Sequence, residues 1–410
     1  MNNLAPILTV CTILFLTLNY CYLSIKKSAI EIVNEMGIGY NLGNSFDCFN
    51  ETIDSIDNLI TSRGNPVPTK KTIASIKKYG FKTIRFPVSW SDFMDEAGKI
   101  NSEWMTRVKE VVNWTVEEKM FCILNVYDDG WLLEELSVKN KYINLWSQIS
   151  REFKDYDEYL IFESINNIVI YNNNYDIDYI SLNNLNQEFV DIIRKSGGKN
   201  LERLLIISGI MSDLDLTYSS EYKIPIDPSN NLAISINYYS PYDFTSTYDN
   251  DVIWYDDNGM ESYYSSPKKW GSTSEYNELI GNLEMMKKYF VDKGVPVILA
   301  EVGVLTEEKK KIESIREYLY SIFSISIDYD GIMACLWDTS SKIEGNMNFY
   351  DRENNQWYDE KIKDNFKIIS KRKYVKPTDY LIMTNILSND DLIDNGLFKN
   401  WGKKAKKNNF

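Results

Sequence analysis

Short apolar runs alternate with longer amphipathic stretches between about residues 30 and 370 of the chain. Apolar runs of about four to eight residues are typical of buried strands, and apolar positions three or four apart are typical of helices. One pattern predicts a helix over 70–79, and a second predicts a helix over 182–195 with a shared apolar face formed by Leu182, Leu185, Phe189 and Ile192. The runs that predict strands are 37–41, 83–87, 121–126, 159–166, 203–208, 232–237, 296–301 and 331–337.

Alternation of strands and helices predicts a parallel sheet with crossover helices, and eight such units are the number that closes a (β/α)8 barrel. A doubly wound open sheet is the alternative, and it usually carries a glycine-rich phosphate turn after its first strand. Gly37 and Gly39 lack the third glycine of that turn, and a turn rather than a helix follows them. The preferred prediction is therefore an α/β fold, a single TIM barrel over residues 30–375.

The two ends of the chain differ from this pattern. Residues 4–25 are almost continuously apolar and are followed by Lys26 and Lys27, and about 20 such residues can span a bilayer. We therefore predict that residues 1–27 are a signal peptide, with an uncleaved signal anchor as the alternative, so the protein is secreted or anchored to a membrane. Residues 376–410 predict a polar, basic tail, and Asn50 and Asn113 begin glycosylation sequons.

The amino-acid composition excludes several kinds of catalytic group and binding partner. The 45 Lys and Arg against 59 Asp and Glu give a net charge of −14, which disfavours nucleic acid as a partner because phosphate binding needs a clustered basic surface. The chain has no histidine, which excludes the Ser-His-Asp triad, histidine-ligated zinc and any imidazole acid or base. The five cysteines form no CxxC pair. We expect a monomer that uses neither a metal nor a cofactor.

Polar side chains cluster at the ends of the predicted strands. In a barrel of this type the active site lies at the carboxyl ends of the strands. Amides and charged groups hydrogen-bond sugar hydroxyls, and an indole ring stacks on a pyranose face. The strand ends therefore predict a carbohydrate site, and the residues found there are Asn41, Arg85, Asp128, Asp129, Asn166, Asn167, Asn237, Tyr239, Glu301 and Trp337.

A series of motifs makes the prediction specific. In chain order they are MGIGYNLGNS (36–45), GNP (64–66), IRFPVSW (84–90), LIFESIN (160–166), YYSPYDF (238–244), AEVG (300–303) and LWD (336–338). Over residues 30–375 the chain resembles glycoside hydrolase family 5, in the endo-β-1,4-glucanase (cellulase) group. The resemblance implies a retaining enzyme that hydrolyses O-glycosyl bonds in cellulose or a related β-glucan, with a β-glucan polysaccharide or oligosaccharide as its partner.

The resemblance also implies roles for individual residues. Glu301 occupies the position of the nucleophile, and Tyr239 lies beside it. Asn166 corresponds to the amide that contacts the sugar 2-hydroxyl, Arg85 is retained, and Trp337 corresponds to the platform on which the sugar stacks.

Other positions depart from the family pattern. Asn167 stands where the family has its general acid/base glutamate, and an amide cannot donate a proton near neutral pH. Tyr127 and Asp128 stand where the third-strand motif has histidines, and Asn237 replaces another histidine; we expect Tyr127 and Asn237 to contact substrate. Asp128 or Asp129 is a possible surrogate acid.

Glu163 is a weaker candidate for that role, because it precedes Asn167 by four residues, about 13 Å along a strand. We expect impaired hydrolysis of β-glucan. The alternative is a catalytically inactive glucan-binding pseudoenzyme, or a scaffold, on the same barrel.

Overall fold

The computed structural model describes residues 26–48, 55–127, 138–168, 178–246, 252–255, 261–264, 269–306, 310–340 and 346–372. The predicted signal segment up to residue 25 and the predicted tail lie outside these ranges, as do Asn50, Asp128 and Asp129. Within the described ranges, no helix is both long and apolar enough to cross a bilayer.

Eight parallel strands close into a barrel in the order β1-β10-β9-β6-β5-β4-β3-β2, which confirms the predicted TIM barrel. Two short antiparallel pairs, β7 with β8 and β11 with β12, lie outside the barrel sheet. The strands are β1 (Gly39–Asn41), β2 (Thr83–Phe86), β3 (Phe121–Asn125), β4 (Leu160–Glu163), β5 (Leu205–Ser208), β6 (Leu232–Tyr238), β7 (Val252–Tyr255), β8 (Glu261–Tyr264), β9 (Val297–Val302), β10 (Ile332–Leu336), β11 (Tyr350–Asp351) and β12 (Gln356–Trp357).

Helices connect the strands and cover the outside of the barrel. Several begin at a capping side chain; for example, Ser28 and Glu31 form a reciprocal capping box that satisfies backbone N–H groups at the first helix. The helices are α1 (Ala29–Met36), α2 (Ile56–Thr61), α3 (Lys70–Lys78), α4 (Ser102–Glu117), α5 (Val138–Glu152), α6 (Tyr179–Lys195), α7 (Leu214–Thr217), α8 (Tyr242–Thr245), α9 (Thr273–Tyr289), α10 (Ile312–Asp328) and α11 (Glu360–Ile369).

The predicted apolar face of α6 needs one correction. Leu182, Leu185 and Phe189 are buried as expected, but Ile193 rather than Ile192 completes the face. Eleven residues separate Leu182 from Ile193, which is about three helical turns, so the two side chains point the same way. Ile192 lies to one side of that face and is only partly buried.

The interior of the barrel is filled by alternate strand residues. This inner cluster includes Ile123, Ile161, Ile206 and Met333 from the strands. Met36 and Val33 of α1 belong to the same cluster, and since β1 follows α1 directly, this helix closes the amino-terminal end of the barrel. The opposite, carboxyl end remains for the polar residues of the site.

One irregularity in the sheet affects the site directly. The pairing of β6 with β9 shifts between Ile236 and Asn237, so that Asn237 lies opposite Glu301. The pairing of β9 with β10 shifts at the same level of the barrel. Such bulges redirect side chains and are frequent next to active sites. Here the bulge decides which way the Glu301 carboxylate points.

Candidate active site

Glu301, near the carboxyl end of β9, is the centre of a hydrogen-bonded cluster and is only 5% exposed. Its Oε1 accepts one hydrogen bond from Asn166 Nδ2 at 2.9 Å and another from Arg85 Nη1 at 3.2 Å. Its Oε2 accepts one from the Tyr239 hydroxyl at 3.0 Å. Burial raises the pKa of Glu301, while Arg85 and Tyr239 act in the opposite direction by stabilising the carboxylate.

Arg85 is held rigidly on β2 between two carboxylates. Its Nε and Nη2 donate to the two oxygens of Glu163 at 2.7 and 2.9 Å, and its Nη1 also donates to Asn41 Oδ1 at 2.9 Å. Burial alone would lower the pKa of Arg85, but Glu163 and Glu301 together raise it, so the guanidinium stays charged. The Glu163 carboxylate is therefore committed to a structural ion pair, which removes it as a proton donor.

Asn166 and Asn167 follow β4 in a turn rather than continuing the strand, because β4 ends at Glu163. Asn167 has a positive φ of 54°, a conformation that asparagine adopts more readily than most residues. It is exposed, and its backbone N–H donates to Ser212 Oγ at 3.1 Å. Glu163 and Asn167 therefore do not share one strand, contrary to the prediction, although both sequence and structure disfavour Glu163 as the acid.

Ser212 orients Asn166 and was not predicted from the sequence. Its hydroxyl donates to Asn166 Oδ1 at 3.4 Å, which leaves Asn166 Nδ2 directed at Glu301. Ser212 lies in a short 3-10 turn, Ile210–Ser212, after β5. No strand-end pattern marks it, since it comes four residues after that strand.

Trp337 follows β10 directly and is 8% exposed. Its ring lies nearly parallel to that of Tyr127, with 5.8 Å between the ring centroids and 11° between the planes. On the β1 side, the backbone of Gly43 packs against the indole of Trp337. A Cβ atom at Gly43 would lie 3.1 Å from the indole, so this close packing depends on the absence of a side chain at Gly43. The two aromatic residues predicted to contact sugar therefore stack on each other.

A buried hydrogen-bond network lies beside Trp337, at Asp338, and was not predicted from the sequence. Arg352 donates to the Gly43 carbonyl at 2.7 Å, to the Asp338 carbonyl at 2.5 Å and to the Tyr40 hydroxyl at 3.0 Å. The Tyr40 hydroxyl in turn donates to Asp338 Oδ2 at 2.6 Å. Burial raises the pKa of the Asp338 carboxyl, and Arg352 opposes that shift. Arg352 thus ties the β1 loop to the residue next to Trp337.

Comparison with known proteins decides the family. Residues 46–343 match the family model described as cellulase (glycosyl hydrolase family 5). The chain belongs to glycoside hydrolase family 5. Endoglucanase A of Clostridium longisporum is 34% identical over 359 residues, which are 82% of this chain and 65% of that protein. The chain therefore spans just under two thirds of that relative's length. Endoglucanase A of Paenibacillus barcinonensis is 30% identical over 80% of this chain and 86% of its own.

Solved structures of family 5 members support the same assignment of the chain to this family. A broad specificity endoglucanase from an uncultured bovine rumen ciliate is 52% identical, with a TM-score of 0.81, and the match covers 85% of this chain and 99% of that one. A family 5 lichenase from Caldicellulosiruptor sp., solved as a glutamate-to-glutamine variant with cellotetraose, is 27% identical with a TM-score of 0.74, covering 84% of this chain and 96% of that one. The predicted resemblance to the endoglucanase group is confirmed.

The structure of this family 5 chain brings Arg85, Asn166, Tyr239 and Glu301 into one hydrogen-bonded cluster, as the strand-end pattern predicted. Asn237, opposite Glu301, has a buried side-chain oxygen that accepts no hydrogen bond within the described part of the chain. The predicted surrogate acids, Asp128 and Asp129, lie outside the described residues.

A metal or a reactive thiol has no support among the described residues. No group of Cys, Asp and Glu side chains in those ranges is arranged to hold a metal ion. Cys335 is buried inside the barrel, and burial raises the pKa of its thiol to about 12, so the thiol stays protonated at neutral pH.

Proposed function

We propose that the chain binds β-1,4-glucan in the cleft at the carboxyl end of the barrel, on a site derived from a retaining endo-β-1,4-glucanase. In this proposal Glu301 is the nucleophile, Arg85 and Asn166 orient it, and Tyr127 and Trp337 contact the sugar rings. The observation that carries the proposal is the Glu301 carboxylate, which is held by three separate hydrogen-bond donors. A nucleophile that attacks a sugar carbon held in a fixed position needs such preorganisation.

Hydrolysis of an ordinary glucan bond is impaired in this proposal because the proton donor is missing. A retaining glycosidase uses two carboxyl groups about 5–5.5 Å apart, one to attack carbon and one to protonate the departing oxygen. Asn167 carries an amide at the donor position, and Glu163 is bound through both oxygens to Arg85. General acid–base catalysis contributes about 10²–10⁴-fold, so a loss of that order is expected.

The experiment that tests this proposal is Asn167→Glu. The purified variant should release reducing sugar from carboxymethylcellulose about 10²–10⁴-fold faster than the unmodified chain. Asn167→Gln is the matched control, because it has the same length without an ionisable group, and it should remain slow. Rapid hydrolysis by the unmodified chain would reject the assignment of Asn167 to the donor position.

A binding protein without turnover is the second candidate. It is favoured by the parallel Tyr127 and Trp337 rings, because aromatic faces bind sugar rings without any proton transfer. The lichenase relative, in which a glutamate is replaced by glutamine, was solved with cellotetraose, so an amide in place of a carboxylate is compatible with substrate binding in that protein. Calorimetry with cellotetraose tests this candidate; heat of binding without reducing sugar release would support it.

We also propose that the chain is secreted as a monomer. The apolar segment of residues 4–25 supports export through a signal peptide within residues 1–27, with an uncleaved anchor as the alternative. In this organisation residues 30–375 form the barrel domain and residues 376–410 a basic tail. Mass spectrometry of the secreted product tests the cleavage, because an intact amino terminus would favour the anchor.

A further inference from the structure

The turn after β5 holds two neighbouring residues in a left-handed backbone conformation. Met211 has a φ of 50° and a ψ of 19°, and Ser212 has a φ of 49°. Asparagine tolerates this region because its short polar side chain can hydrogen-bond locally, but methionine has no such group. Strained residues of this kind persist only where the surrounding contacts enforce them, and they concentrate at active sites and ligand contacts.

Hydrogen bonds to the turn after β4 enforce the conformation of Met211. Its backbone N–H donates to the Ile168 carbonyl at 2.8 Å. The N–H of Asn167 donates in the other direction, to Ser212 Oγ at 3.1 Å. Because these two bonds join the turn after β5 to the turn after β4, Met211 is fixed beside Asn167 and Ile168.

The hydrogen bonds of Asn166 place Met211 on one particular side of the site. Asn166 donates through Nδ2 to Glu301 and accepts through Oδ1 from the Ser212 hydroxyl. Ser212, with Met211 next to it, therefore lies at the opposite end of the Asn166 amide from Glu301. In the proposed function Asn167 stands where the donor to the departing oxygen belongs, so the leaving-group sugar lies on this side of Asn166.

The Met211 side chain is exposed, unlike the side chains on either side of it. It is 40% exposed, whereas Ile210 and Ser212 are completely buried. A single exposed apolar side chain is ordinary, but here a strained backbone holds it at the carboxyl end of the barrel. Methionine is unbranched and polarizable, so its side chain can adapt to the apolar face of a ring.

We infer that Met211 is a specificity-determining residue, whose side chain packs on the C–H face of the sugar on the leaving-group side of the glycosidic bond. The inference rests on the proposed function, because it places a β-1,4-glucan chain across the same cleft. The leaving-group sugar is the one toward the reducing end of that chain. The contact therefore favours chains that extend toward their reducing end beyond the sugar that faces Glu301, and it buries apolar surface without any ionisable group.

The test uses nuclear magnetic resonance on the full chain with isotope-labelled methionine methyl groups, and cellotetraose as the ligand. The Met211 signal is identified as the one missing from the spectrum of Met211→Leu. We expect cellotetraose to shift this signal and to give Overhauser contacts from the methyl group to ring protons in the reducing-end half of the ligand. Met285, which is 37% exposed on α9, is the internal control, and its signal should not shift.

Calorimetry with cellotetraose then compares three variants. Met211→Gly removes the side chain and adopts a positive φ without strain, so it should keep or raise the melting temperature. It should also weaken binding about 3- to 8-fold, which is the apolar burial still open to a side chain that is 40% exposed. Met211→Gln, polar and of similar length, should weaken binding in the same way, whereas Met211→Leu should bind like the unmodified chain.

The outcomes separate this inference from the proposed function. If cellotetraose binds but the Met211 signal does not move, or if the glycine and glutamine variants bind as tightly as the unmodified chain, the inference is overturned and the proposed glucan site stands. Contacts of the Met211 methyl group with the non-reducing half of the ligand would also overturn it. If cellotetraose gives no heat and shifts no methionine signal, the proposed function itself fails, and the inference fails with it.

Discussion

Asn166, which follows β4, donates a hydrogen bond of 2.9 Å to Glu301 near the end of β9, although the two residues are 135 positions apart in the chain. Two other strands, β5 and β6, separate β4 from β9 in the barrel order. The contact therefore spans the mouth of the barrel rather than joining neighbours. It holds Glu301 Oε1 in place from the far side of the barrel mouth.

Ser212→Ala should weaken the site without unfolding the protein. The variant loses the hydrogen bonds of Ser212 to the Asn167 N–H and to Asn166 Oδ1, and each such bond is worth about 1 kcal/mol of stability. We expect a small drop in melting temperature and weaker cellotetraose binding by calorimetry, because Asn166 is no longer oriented. Ser220→Ala, on an exposed residue just after α7, is the control; equal binding by both variants would contradict a positioning role for Ser212.

Gly43→Ala should displace the indole of Trp337. The added methyl group would lie 3.1 Å from the ring, which is closer than the ~3.5–4.0 Å at which carbon atoms pack best. We expect weaker cello-oligosaccharide binding and a changed tryptophan emission spectrum.

Gly281→Ala is the matched control for this change. Nothing lies within 4 Å of a Cβ at Gly281, which is within α9, so alanine there should stabilise the protein by about 0.5–1 kcal/mol. Unchanged affinity in Gly43→Ala would mean that Trp337 is not part of the binding surface.

Arg85→Met should be among the most destabilising single changes. It leaves Glu163 buried without its ion-pair partner, and removing one member of a buried pair costs about 3–5 kcal/mol. Arg107→Met is the control, because Arg107 pairs with Asp57 and Glu110 near the surface, where a pair is worth about 0–1 kcal/mol. Urea denaturation measures both, and similar losses in the two variants would show that the Arg85–Glu163 pair is not structurally important.

The rate of dinitrophenolate release from 2,4-dinitrophenyl β-cellobioside should depend on pH through a single ionisation. Glu301 must be ionised to attack, and burial raises its pKa above the ordinary 4.5, so the rate should rise with pH and its midpoint should lie above that value. No fall is expected up to about pH 9, because the pKa of Tyr239 is well above 10 and the chain has no histidine.

Asn167→Glu should convert this profile into a bell shape by adding a group that must be protonated. Initial rates of dinitrophenolate release across the pH range provide the measurement. A falling limb near neutrality in the unmodified chain would reveal an acid that the described residues do not contain.

The sequence by itself determined the barrel and the ring of polar residues at its carboxyl end. Apolar runs of strand length and helical spacing are local properties, so they can be read one element at a time. The position of each strand end then predicts which residues share the mouth of a barrel, which is how Arg85, Asn166, Tyr239 and Glu301 were found together.

Only the tertiary structure decided how those residues are used. The bulge between β6 and β9 turns Glu301 toward Arg85, and the turn after β4 ends the strand alternation assumed for Asn167. Ser212 and Arg352 carry no local signal, because they act through contacts with segments far away in the chain. Their roles depend on how the barrel closes, and strand register and closure are set by packing among all the elements together.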